Sequence, residues 1–125
     1  MRDRDKADAN DQKASLRLSA DCRCLICGEY LPNDLFDLGH RIKKSRSLRD
    51  KYGDGVIFHP LNMLPVCHGS RGGKSCNDAC AVGSNTLPGL ALLQRIIRVV
   101  TGVEPEPNMK AEYRALRESF EKERG

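Results

Sequence analysis

The chain has no tryptophan, and aromatic residues make up only 5% of its 125 positions. A core without large rings buries less apolar surface, and a domain of this size with 39% hydrophobic residues commonly leans on a disulfide or metal staple. Long apolar runs are missing as well. The richest stretch, LPGLALLQRIIRVV, is interrupted by Gln94, Arg95 and Arg98, which argues against a membrane-spanning helix. Nothing in MRDRDKADANDQKASLRLS resembles the apolar run of a signal peptide. The six cysteines are therefore expected to be reduced thiols in a soluble, cytoplasmic protein. Histidine is scarce too, three in all, so each deserves separate weighing.

What the chain does have is an uneven distribution of charge. The net charge is a modest +4. Between His40 and Ser75, however, Arg41, Lys43, Lys44, Arg46, Arg49, Lys51, Arg71 and Lys74 face only Asp50 and Asp54. A basic block of this kind is the footprint of a polyanion partner, or else a solvated loop.

Composition divides the chain into three parts. Residues 1–19 mix opposite charges with few apolar positions and read as a flexible tail to which no chemistry is assigned. Residues 20–86 hold all the cysteines and histidines. Within them, Leu35–Leu38 reads as a short strand leading to Gly39-His40, residues 43–55 as an excursion loop, and Val56-Ile57-Phe58 as a second extended run. Pro60 and Pro65 bracket a piece expected to be one helical turn or a tight bend, and HGSRGGKS a flexible basic loop. Residues 87–125 form a helical extension. Leu90, Leu93, Ile97 and Val100 recur at helical spacing behind a Thr86 cap, and Met109, Tyr113, Leu116 and Phe120 stripe a second helix. These stripes suit a core or a homodimer contact.

Cys24-x-x-Cys27, followed by Gly28, is a metal knuckle, because a two-residue spacer lets both sulfurs face one point about 2.3 Å away. A tetrahedral zinc site needs two more ligands. Cys67 and Cys76 are the best candidates, with Cys80 and His68 as substitutes, although eight residues separate them where two are usual. Buried free thiols are the bland alternative.

In order, Cys24-x-x-Cys27, Gly39-His40, Leu61–Cys67 and Cys76-Asn77 resemble the HNH endonuclease family, the treble-clef group of His-metal-finger nucleases. The Gly-His form is similar to phage recombination proteins of the NinG type. The resemblance covers about Cys24 to Gly83 and implies an α+β fold, a small zinc-stapled ββα-metal core with C-terminal helices. It implies structural Zn²⁺ on the four cysteines and a DNA partner, in a bacterial or phage-infected cell. Carried over, His40 is the general base, Asn62 holds the imidazole or its backbone, and Asn77 takes the helix-borne position. Asp37 and Asn77 are then candidate ligands of a catalytic Mg²⁺ or Mn²⁺, possible replacements for the acid that Gly39 lacks. Asp78 is a further candidate, and His59 a softer one that would favour Mn²⁺, Ni²⁺ or Zn²⁺.

A neutral imidazole suits proton abstraction from water at cytosolic pH. Arg41, Lys43, Lys44 and Arg46, with Arg71 and Lys74, are placed in sequence to contact backbone phosphates. The activity expected is metal-dependent hydrolysis of DNA phosphodiester bonds, with recombination or replication intermediates as the substrates that the phage resemblance implies. The alternative is a zinc-stabilised DNA-binding or adaptor module that has lost the catalytic ion.

Overall fold

The computed structural model describes residues 12–71 and 74–124, with Ser70, Arg71, Lys74 and Arg124 described by their backbone alone. The fold is mixed α+β. Its first element lies where the sequence suggested a tail: residues 12–19 form a helix, α1, because Leu16 and Ala20 recur at one helical turn and both are buried. Arg17 anchors α1, its Nε donating to the Leu31 carbonyl at 2.8 Å and its Nη2 to the Tyr30 hydroxyl at 3.0 Å. Residues 1–11, the rest of the expected tail, lie outside the described residues.

After α1 the chain reverses through Asp21 and Cys22, both left-handed at φ 57° and 58°. It then makes the tight Cys24–Gly28 turn, in which the Gly28 amide donates to the Cys24 carbonyl at 2.9 Å. Strand β1, Phe36–His40, pairs antiparallel with β2, Met63–Cys67, in a register that sets Phe36 against Cys67 and His40 against Met63. Between the strands, α2 (Arg46–Tyr52) and α3 (Asp54–Ile57) replace the expected loop and extended run. Val56 and Ile57 are buried from one short helical turn, and Arg49 clamps Asp54 across the α2–α3 junction at 2.8 Å. A 3-10 turn, Pro60–Asn62, then leads into β2.

The turn between the prolines is therefore present, but Pro65 itself sits inside a strand. A two-stranded ladder makes this tolerable, since each strand has a free edge and a missing N–H there breaks nothing. The Pro65 carbonyl is used, accepting from the Leu25 amide at 3.2 Å. Two-residue strands β3 (Ser70–Arg71) and β4 (Lys74–Ser75) then pair, and α4 (Cys76–Ala79) starts from a Ser75 cap whose hydroxyl accepts from Asp78 N at 3.2 Å.

Helices α5 (Leu87–Val100) and α6 (Met109–Arg124) complete the chain. Thr86 caps α5 as its position suggested. The face that α5 buries is nevertheless Leu93, Ile96 and Val99, while Leu90 and Val100 are more than a third exposed. LALLQRIIRVV carries apolar residues in two neighbouring phases, so periodicity alone does not select one. The α6 stripe is as read, but it faces its own chain. Tyr113 is fully buried and its hydroxyl donates to the Met63 carbonyl of β2 at 2.8 Å, and Met109, Leu116 and Phe120 pack on the same cluster.

One apolar cluster joins α1, the knuckle, both long strands and α6; a second joins α3, the 3-10 turn and α5. The clusters run across the boundaries drawn at residues 20 and 87, with Leu16 and Tyr113 in the first and Leu93, Ile96 and Val99 in the second. The stripe that suggested a homodimer contact is used within the chain. Among the described residues no helix is long and apolar enough to cross a membrane.

Candidate functional site

The knuckle turn, the end of β2 and the first residue of α4 converge. Cys24, Cys27, Cys67 and Cys76 bring their sulfurs within 4.8 Å of one another, with Cys27 and Cys67 at 3.4 Å. In a tetrahedron with metal–sulfur bonds of about 2.3 Å, sulfurs stand roughly 3.8 Å apart, so the cluster fits a single metal ion such as zinc. The β3–β4 hairpin explains the eight-residue spacer: it leaves at Cys67 and returns at Cys76 without moving the two ends apart.

Electrostatics fit a cation as well. Burial opposes ionisation of Cys24, but the amides of Cys27, Cys67 and Ile26 outweigh it and hold the thiol below its ordinary range. Burial and the neighbouring thiols push Cys67 up, and push Cys76 up to about 12. Four thiolates this close are stable only around a positive charge. The substitutes lie elsewhere. Cys80 is buried under β1, its thiol pushed up to about 12 by desolvation, and His68 Nδ1 meets Asp37 Oδ1 at 3.0 Å.

His40 ends β1 and is half-buried between Phe58 and the β1–β2 ladder. Its ring meets Phe58 edge-to-face, centroids 5.3 Å apart at 88°. Desolvation, then the nearby Lys44 ammonium, hold its pKa below 6.5, against a backbone hydrogen bond to Leu38. Nε2 is buried and, among the described residues, has no hydrogen-bond partner. Two adjoining clefts, of about 420 and 250 Å³, share Leu38, His40, Lys44 and Asn77. The result is an imidazole held toward its neutral form at the edge of a cleft that also carries Lys43 and Lys44.

Gly39 accounts for the missing acid. A Cβ built there would lie 2.6 Å from Cys80 Sγ and 3.2 Å from Asn77 Oδ1, because α4 packs directly on β1 at this point. No side chain fits. Asn77 occupies the ground in front of Gly39 and lines both clefts with His40, while Asp78 lines the smaller one.

Asn62 is fully buried and does not reach the imidazole. Its Oδ1 accepts from Ile42 N at 2.8 Å, and its Nδ2 donates to the carbonyls of Ile42 at 3.0 Å and Ile57 at 2.8 Å. Its backbone carbonyl takes the Arg41 amide at 2.9 Å. Asn62 therefore fastens the two residues that follow His40.

The basic residues separate. Lys43, Lys44 and Arg46 are exposed. Arg41 turns inward, its guanidinium 5.7 Å from the Phe120 ring and its Nη1 buried, so it does not join the surface expected to meet phosphates. The side chains of Arg71 and Lys74 lie outside the described residues. His59 is structural: Nδ1 accepts from Leu61 N at 3.1 Å and Nε2 meets Glu106 at 3.1 Å. Asp37, tied to His68, lines the larger cleft. Among the described residues, the four cysteines are the single group of three or more His, Cys, Asp or Glu side chains placed to hold an ion.

Comparison with protein-family models, curated proteins and solved structures finds no match for the chain. The cleft also contains Gln12, Lys13 and Phe58, which sequence reasoning did not single out. Lys13 was hidden by the reading of residues 1–19 as a tail. The available signal was the Leu16/Ala20 spacing, too short to stand out among the charges.

Proposed function

We propose that the chain is a small endonuclease of the HNH type that hydrolyses DNA phosphodiester bonds, with a zinc ion on Cys24, Cys27, Cys67 and Cys76 as its structural staple. The observation that carries this reading is His40: an imidazole held toward its neutral form where β1 opens onto a cleft lined by Lys44 and Asn77. Zinc, when bound, would tie the knuckle, β2 and α4 into one unit and take no part in the reaction.

In this reading the neutral imidazole of His40 takes the proton of the attacking water. Asn62 keeps the backbone beyond His40 in place through Ile42. Lys44 and Lys43 offset the charge of the phosphate. The donors around His40 do not form a cage for a second ion: Gly39 offers no side chain and Asp37 is engaged by His68. Among the described residues a catalytic Mg²⁺ or Mn²⁺ therefore has no site ready for it beside His40.

That same sparseness favours a second reading, a zinc-stabilised DNA-binding or adaptor module without cleavage. Incubating the purified chain with supercoiled plasmid in Mg²⁺, Mn²⁺ or Ni²⁺ separates the two. Nicking in any of them supports the nuclease; retardation of DNA on a gel without nicking in all three supports the binder.

A further inference from the structure

We infer that helix α1 supplies a second basic wall to the His40 cleft, so that a nucleic-acid strand passes between Lys13 and Lys44 with His40 beneath it. The inference rests on the reading of this cleft as a phosphodiester site and adds an element outside the motif-bearing segment. Lys13, from α1, and Lys44, from the segment after β1, line one cleft of about 420 Å³ together with His40 and Asn77. Among the described residues neither lysine has an acidic partner. The one carboxylate on the wall, Asp37, is already engaged by His68 at 3.0 Å.

Lys13 is also held in place. Its ammonium lies 4.7 Å from the centroid of the buried Phe36 ring, and the side chain lines the cleft. Leu16, 4% exposed, and the Arg17 bonds to Leu31 and Tyr30 fasten the helix that carries it. Two cations on separate elements, lining one cleft with an imidazole, match a backbone bearing a negative charge on every nucleotide. One lysine alone would position a single phosphate; two on opposite walls set the direction in which the strand runs.

The test is binding of a fluorescent 20-nucleotide DNA, single-stranded and duplex, measured by anisotropy across a salt series with the full chain. Lys13→Met keeps the stem over Phe36 and removes the charge, Lys13→Arg restores the charge, and Lys122→Ala, an exposed lysine on α6, controls for net charge. Each lost phosphate contact lowers the slope of log affinity against log salt by about 0.9 on duplex and about 0.7 on single strands. The inference expects that loss for Lys13→Met with unchanged melting temperature, recovery in Lys13→Arg, and no change of slope in Lys122→Ala. A Lys13→Met slope equal to that of Lys122→Ala, with Lys44→Met still reducing it, overturns this wall while leaving the nuclease reading intact. Absence of binding by the unaltered chain overturns both.

Discussion

The cysteine cluster and the His40 cleft lie on the same few elements yet are built in opposite ways. The cluster is closed: four sulfurs from three separated segments converge within 4.8 Å. The cleft is open, lined by the His40 imidazole and by Lys13 and Lys44, which have no acidic partner among the described residues. A closed donor set stabilises; an open one is left for something the chain does not contain. Scarce aromatics and a core split into two clusters leave little other stabilisation, which suits the cysteines to holding the fold, while the proposed chemistry falls to the cleft.

The largest effect that sharpens this contrast is loss of the clasp. Metal binding at a four-cysteine site is folding free energy, of order 10 kcal/mol. Cys67→Ser or Cys76→Ser should therefore abolish the cooperative transition seen by circular dichroism, whereas Cys80→Ser should retain it. A Cys76→Ser chain that melts normally would break the assignment.

Asn62→Ala should come next. It leaves the Ile42 amide and two carbonyls without their partners in a fully buried place, at about 1–3 kcal/mol for each group left unsatisfied. Urea titration should show a loss of a few kcal/mol; a loss below about 1 would mean that water replaces the amide. Gly39→Asp, a restoration of the acid that the commoner pattern would place there, should instead destabilise by about 1–3 kcal/mol, because Cys80 Sγ leaves no room for a Cβ. Gain of activity at unchanged stability would contradict the close packing of α4 on β1.

The smallest effects concern protonation. Burial and Lys44 lower the His40 pKa, so the folded chain takes up its proton only at a pH below 6.5. Cleavage should rise through that lower range and be level from about pH 6.5 upwards. The unfolded chain binds the proton first, so the His40 contribution to stability is full above pH 6.5 and falls as the pH drops. Rates still climbing between pH 7 and 8 would point to a different base.

Much of the clasp was legible from spacing, because a Cys-x-x-Cys turn constrains two sulfurs locally and Cys67 and Cys76 needed only a hairpin to bring their ends together. The α6 stripe was legible for a similar reason, since Met109, Tyr113, Leu116 and Phe120 offer one phase alone. Other features depend on long-range packing that no local pattern encodes. Asn62 looks like a turn residue until β2 brings it under Ile42, and Arg41 looks like a phosphate contact until α6 closes over it. Val56-Ile57-Phe58 is β-branched and aromatic, yet Val56 and Ile57 are buried in one cluster with α5 from a helical turn. Gly39 reads as a defect in a motif, and only the position of Cys80 shows it to be a requirement of packing.

The most direct test is plasmid cleavage by His40→Ala protein whose zinc content has been measured in the same sample. The account predicts about one zinc per chain, unaltered melting, and cleavage reduced 10²- to 10⁴-fold, the usual contribution of a general base. Undiminished cleavage, or loss of zinc together with the imidazole, would contradict the separation of staple from site.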